Sequence, residues 1–187
     1  NGDGVADLAV PDGILLGNGD GTFQALRPYP GNSGNSVLAG DFNGDGKADV
    51  ALIDAVPTSQ QRLRTVIYPG NGDGTFQSGI ANAVSGLLGA VADMNGDGKA
   101  DIVLDTAQVL LGNGDGTFRA VSGTAPTSAT TVLTAGVLVA DFNDDGKPDV
   151  FTTGGLYYGN GDGSLQNPVA FGVGAVVTAG DMTGDGR

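Results

Sequence analysis

The sequence predicts an all-β repeat protein, a β-propeller-type array of four-stranded antiparallel blades, and three observations carry that reading. An acidic loop recurs as Asp41-Phe-Asn-Gly-Asp-Gly-Lys-Ala-Asp49, Asp93-Met-Asn-Gly-Asp-Gly-Lys-Ala-Asp101 and Asp141-Phe-Asn-Asp-Asp-Gly-Lys-Pro-Asp149. A second motif alternates with it: Gly17-Asn-Gly-Asp-Gly-Thr-Phe23, then residues 70–76, 112–118 and 159–165. Between the motifs lie short segments rich in Val, Leu and Thr, bounded by Asn-Gly and Asp-Gly turns. None keeps a helical period, and 35 glycines would weaken any helix.

The acidic loops start at Asp41, Asp93, Asp141 and Asp181, giving periods of 52, 48 and 40 residues. In the unit that follows Asp41 the predicted strands are 49–54, 65–68, 75–84 and 87–92. The next unit gives 102–104, 109–111, 117–121 and 132–139, and the last gives 150–152, 156–158, 165–171 and 176–178. Four short strands in 40 to 50 residues is the signature of a propeller blade, which cannot bury both faces alone and must stack on its neighbours. Nothing in the pattern marks an internal boundary, so residues 1–187 read as one repeat region of about four blades. Partial units at both ends make the expected object a window on a longer array or a member of an assembly.

Within each acidic loop, oxygen-bearing side chains occupy positions 1, 3, 5 and 9 and Gly occupies position 6. A hard cation such as Ca2+ needs this arrangement, because alternate residues turn their oxygens to one centre while Gly allows the bend. The expected side-chain ligands are Asp41, Asn43, Asp45 and Asp49, then Asp93, Asn95, Asp97 and Asp101, then Asp141, Asn143, Asp145 and Asp149. The backbone carbonyls of Lys47, Lys99 and Lys147 complete the three sets, with the lysine heads turned to solvent. Two partial loops extend the count to as many as five: Asn1, Asp3, Val5 and Asp7 at one end, Asp181, Thr183, Asp185 and Arg187 at the other, with Val5 and Arg187 at the carbonyl position. An EF-hand is excluded, since it needs Glu at position 12 and these loops have Leu52, Leu104 and Thr152 there.

All 21 acidic residues are Asp, which points to carboxylates placed by loop geometry and not merely for solubility. The net charge of −13 would fall to −7 with three divalent ions bound, so metal removal should leave a self-repelling chain. The acidic balance excludes nucleic acid as a partner, and no apolar run is long enough to form a membrane-spanning helix. No Cys means no disulfide scaffold, and the lack of His and Cys removes most nucleophile–base pairs, so no enzymatic activity is expected. Asp20, Asp73, Asp115 and Asp162, in the Gly-Asn-Gly-Asp-Gly motif, read as hairpin-turn residues, because Asn-Gly and Asp-Gly supply positive φ. The tyrosines read as blade packing. Any targeting segment is expected to lie upstream of Asn1 or to have been removed.

At this point loops 41–49, 93–101 and 141–149 resemble the calcium loops of FG-GAP (VCBS-type) repeats, best known from the integrin α-subunit propeller. Phe171-Gly172 followed by Ala179-Gly180-Asp181 resembles the stretch behind the family name, and the Asn-Gly-Asp-Gly-Thr-Phe element is similar to bacterial secreted members. The resemblance implies a calcium-stabilised, secreted or cell-surface propeller used in adhesion or recognition. Its expected partner is an extracellular protein or glycan, or further copies of itself. A structural subunit of a self-assembling filament or surface layer is the alternative, and a glycan-binding lectin the weaker one because Trp is absent. Three carboxylates per loop suit modest affinity, and such sites fill where calcium is about millimolar.

Overall fold

The computed structural model describes residues 1–31, 34, 36–55, 63–83, 86–122 and 136–170. Among them every regular element is a strand: β1 (Leu8–Val10), β2 (Gly13–Leu15), β3 (Arg27–Pro28), β4 (Val37–Gly40), β5 (Asp49–Ala55), β6 (Leu63–Tyr68), β7 (Ile80–Asn82), β8 (Leu88–Ala92), β9 (Asp101–Leu104), β10 (Val109–Gly112), β11 (Phe118–Ala120), β12 (Leu138–Ala140), β13 (Asp149–Thr152) and β14 (Gly155–Tyr157). They form four open antiparallel sheets, in the orders β1-β2-β3, β4-β5-β6-β7, β8-β9-β10-β11 and β12-β13-β14. These are propeller-like blades of three or four strands. No helix among the described residues is long and apolar enough to cross a membrane. Partial loop 181–187, predicted strand 176–178, the Phe171-Gly172 stretch and residues 132–135 of predicted strand 132–139 lie outside the described residues.

Most described strands overlap the predicted segments, with isolated bridges and no regular strand over residues 165–170, and their grouping differs. The segments predicted fourth at 87–92 and 132–139 pair with the strand that follows the next acidic loop, as β8 with β9 and β12 with β13. Thus β4 pairs with β5 in a register that sets Gly40 opposite Asp49, and β12 pairs with β13 with Ala140 opposite Asp149. The acidic loop is therefore the connection inside a hairpin, not the link between blades. The glycine motif closes the next corner of each sheet, with Gly17 bridged to Phe23, Gly70 to Phe76 and Gly159 to Leu165. By this register β1, β2 and β3 correspond to β5, β6 and β7, and β12, β13 and β14 to β4, β5 and β6.

The chain divides into two compact units: Asn1–Leu88 with Gly112–Phe118, and the described residues of Gly89–Leu111 and Arg119–Arg187. In the first, Ile14 and Leu16 of the first sheet pack with Val50, Leu52, Val66 and Tyr68 of the second. Alternation along a strand explains the choice: Val50 and Leu52 share one face of β5, and Ala51 and Ile53 take the other. Tyr29 stacks on Tyr68 with ring centroids 5.9 Å apart and meets Phe76 edge-on at 5.3 Å. In the second unit Val103, Val109 and Leu111 pack with Val150 and Tyr157, joined by Met94 and Val137. Buried tyrosines thus serve blade packing, as expected.

Candidate metal centre

Loop 41–49 leaves β4 and returns in β5, folded around its first carboxylate. Asp41 accepts the backbone N–H of Gly44 at 2.8 Å and of Asp45 at 3.2 Å on Oδ1, and that of Gly46 at 2.8 Å on Oδ2. The Asn43 side chain accepts the Asp45 N–H at 2.9 Å, and Asp45 accepts the Lys47 N–H at 2.9 Å. These i→i+2 bonds are the Asx turns that short acidic and amide side chains favour. Gly44 and Gly46 carry φ of 75° and 79°, which lets consecutive amides point inward.

The other complete loops repeat this. Asp93 accepts Gly96, Asp97 and Gly98 at 2.8, 3.1 and 2.8 Å, Asn95 accepts Asp97 at 3.1 Å, and Asp97 accepts Lys99 at 3.0 Å. Asp141 accepts Asp145 and Gly146 at 3.0 and 2.7 Å, Asn143 accepts Asp145 at 3.1 Å, and Asp145 accepts Lys147 at 3.0 Å. Here Asp144 stands where the others have Gly and still takes the left-handed conformation, with φ of 61°. At the N-terminal end Asn1 accepts the Asp3 N–H and Asp3 accepts that of Val5, so positions 3, 5 and 7 keep the same pattern.

Position 9 does something the sequence did not reveal. Asp49 is fully buried, and both of its oxygens hold backbone: Oδ2 accepts Phe42 N–H at 2.9 Å, and Oδ1 accepts Gly70 N–H at 2.8 Å. Asp149 does the same with Phe142 and Gly159, and Asp7 accepts Gly17. Buried Asp101 accepts Met94. The carboxylate thus fastens the acidic loop to the start of the glycine motif. A legible signal existed in the glycine that opens that motif. A Cβ at Gly70 would lie 2.1 Å from the Ala48 carbonyl, and Gly17 and Gly159 meet Ala6 and Pro148 in the same way.

Electrostatics separate these groups. Burial raises the pKa of Asp49; the Gly70 and Phe42 amides oppose this, while the negative charges of Asp45 and Asp41 add to it. Burial also acts upward on Asp141, but four loop amides outweigh it and hold its pKa below the ordinary value. Asp97 is lowered chiefly by the Lys99 amide. Lys47 is half-exposed, as expected, yet its head lies 3.8 Å from Asp45 Oδ2 and its stem runs beside Gly72. Lys147 lies beside Gly161 in the same manner.

Among the described residues no three acidic side chains converge as a ready-made cage. The donor set nonetheless fits a hard divalent cation, being all oxygen: two carboxylates, an amide and a backbone carbonyl, backed by a buried carboxylate. The Asp residues of the glycine motif are turn residues, as expected. Asp20, Asp73 and Asp162 each accept both the amide and the hydroxyl of the residue two positions on, which lowers their pKa.

A cleft of about 610 Å3 adjoins these loops in the first unit, floored by Ala9, Ile14, Val50 and Phe76 and rimmed by Lys47 and Asn71. Comparison with known proteins adds one finding. A family model described as FG-GAP-like repeat matches residues 1–52 and 105–152, more than half of the chain. None of the curated proteins compared with the chain matches it.

Proposed function

The chain belongs to the FG-GAP-like repeat family, and from that premise we propose that it is a calcium-binding recognition module that works outside the cell. Asp41, Asn43, Asp45 and the Lys47 carbonyl would hold one ion, with Asp49 closing the set. The loops at Asp93 and Asp141 would do the same. The bound ion would neutralise charge and brace the hairpin; it has no reaction to catalyse. Sites of this charge count suit calcium at roughly millimolar concentration, the extracellular range.

The observation that carries this reading is the oxygen set gathered on loop 41–49, where Asp41, Asn43 and Asp45 are held by loop amides beside the buried Asp49. A cation there would neutralise the clustered negative charge. For the recognition role the support is weaker in kind but physical: the cleft beside loop 41–49 has the volume of small-ligand sites and a mixed apolar and polar lining. An extracellular protein or glycan segment is the expected ligand class.

The test is calorimetric titration with CaCl2, followed by thermal melts in calcium and in chelator. A ligand that binds only the folded state stabilises it by RT ln(1 + [L]/Kd), about 2.7 kcal/mol at a hundredfold excess over Kd. Heat of binding and a higher Tm in calcium than in magnesium are expected. No heat and no shift at millimolar calcium would sink the reading.

A further inference from the structure

Asn-Gly recurs through both motifs, at Asn43 and Asn95 in the acidic loops and at Asn71 and Asn113 in the glycine motif. This dipeptide is prone to spontaneous loss of the side-chain amide, because a following glycine has no Cβ to keep its backbone nitrogen away from the Asn Cγ. Sequence makes the four sites alike. The structure sorts them into two pairs.

In the acidic loops the attacking nitrogen is occupied. Gly44 N–H donates to Asp41 Oδ1 and Gly96 N–H to Asp93 Oδ1, both at 2.8 Å. The reaction needs that nitrogen deprotonated, and a carboxylate at this distance holds the proton and opposes the negative charge left behind. The side chains are tied as well: Asn43 and Asn95 each accept the N–H two residues on, and both are half-buried. In the glycine motif, by contrast, Asn71 and Asn113 are exposed. The N–H groups of Gly72 and Gly114 have no hydrogen-bond partner among the described residues. The Asn side chains there are held through nitrogen, which donates to the hydroxyls of Thr75 and Thr117 at 2.8 Å.

We infer that Asn71 and Asn113 are sites of self-deamidation and that the acidic loops protect Asn43 and Asn95 from the same reaction. Hydroxide takes the Gly72 N–H proton and the nitrogen attacks Asn71 Cγ. The bond from Cγ to Nδ2 breaks, and the departing nitrogen takes a proton from water to leave as ammonia. Water then opens the five-membered succinimide at either carbonyl, giving an aspartyl residue or an isoaspartyl one with a longer backbone. Water is the co-reactant, and no oxidation state changes. Either product removes the Nδ2 donor from the Thr75 hydroxyl, whose own proton goes to Asp73 at 2.6 Å, and adds one negative charge. Asn71 and Gly72 line the cleft beside loop 41–49, and the Gly70 amide just before them is held by Asp49. Conversion at Asn71 therefore changes the charge of that cleft and loosens the corner that the buried carboxylate fastens.

The test is to incubate the full chain in chelator at mildly alkaline pH, native and in a denaturing concentration of urea. Each Asn-to-Asp conversion is followed by peptide mass spectrometry with fragmentation. In the native protein Asn71 and Asn113 are expected to convert about tenfold faster than Asn43 and Asn95, the factor supplied by one charge-assisted bond that must break first. In urea the four rates should draw level. Asp41→Ala, with folding verified by circular dichroism, should raise the Asn43 rate towards that of Asn71. If this variant misfolds, Asp93→Ala tests the same point at Asn95. Equal native rates, or faster loss from the acidic loops, overturn the proposal. So does a difference that persists in urea, which would lie in the sequence and not in the fold, and so does an Asn43 rate that ignores the loss of Asp41.

Discussion

Replacing Asp49 by Ala separates the two tasks that an acidic loop performs. Its carboxylate accepts two buried backbone amides, those of Phe42 and Gly70. Stranding a buried donor costs about 1–3 kcal/mol, and bonds to a charged acceptor lie towards the upper end. Two such donors give roughly 3–5 kcal/mol. The carboxylate's own burial is unfavourable, as its raised pKa records, so a net loss of about 3 kcal/mol is the working figure. In a chain of this size that is a Tm drop of roughly 6–12 °C. Asp45→Ala is the control. Asp45 accepts one exposed amide and faces Lys47 at 3.8 Å, so its loss without metal stays within about 0.5 kcal/mol. Thermal melts of both variants in calcium and in chelator provide the assay. Asp49→Ala should be destabilised in both solutions, and Asp45→Ala in calcium alone. An Asp49→Ala effect that disappears in chelator would refute the clamp and leave position 9 as a metal ligand only. Equal losses for Asp45→Ala in both solutions would count against metal at that loop.

Three other outcomes follow from the same geometry. The buried Tyr29 hydroxyl makes no well-formed hydrogen bond among the described residues, the Val10 backbone interacting with it only weakly, so Tyr29→Phe should leave Tm nearly unchanged at neutral pH; a drop of several degrees would mean the hydroxyl is satisfied. Burial pushes the Tyr29 pKa from 10 up to about 12, so its contribution is intact below pH 10 and is lost as pH rises through 12. Urea melts across that window should show a smaller alkaline loss in Tyr29→Phe than in wild type. Gly70→Ala drives a Cβ to 2.1 Å from the Ala48 carbonyl and should cost at least about 1–3 kcal/mol by denaturant melt; a neutral result would mean the corner shifts freely. Asp144→Gly relieves a left-handed non-glycine residue and should raise Tm in chelator by roughly 0.5–1 kcal/mol equivalent, whereas a fall would show that the Asp144 side chain outweighs its strain.

Much of this was legible because the repeat carries its own internal control. Motifs at 40 to 52 residue spacing placed the strands, and Asn-Gly and Asp-Gly marked the corners. What stayed hidden were relations between segments far apart in sequence. Nothing local to Leu88–Ala92 says that it pairs forwards to Asp101–Leu104 and not backwards. Nothing near Asp49 says that its partner is Gly70, 21 residues away, because a carboxylate at a loop end fits a cation and an amide pair equally well. The exposed ring of Phe142 is invisible in a motif whose equivalent, Phe42, is buried. Burial is a property of what stands opposite, and that is written elsewhere in the chain.

The exclusive use of Asp is the last link between composition and mechanism. The position-1 carboxylate of every complete loop reaches amides four and five residues on, at 2.7 to 3.2 Å, with a single methylene between backbone and charge. A longer arm would carry the oxygens past the ring of amides and adds rotamer entropy to lose on folding. Asp41→Glu therefore keeps net charge and carboxylate chemistry but sacrifices the Gly44, Asp45 and Gly46 bonds. Since these are exposed, the loss should be about 1–2 kcal/mol, read as a lower Tm in chelator at unchanged charge. If calcium is held as proposed, its affinity should fall as well. A Glu variant as stable as wild type in both solutions would mean that charge alone, and not reach, selects Asp in these loops.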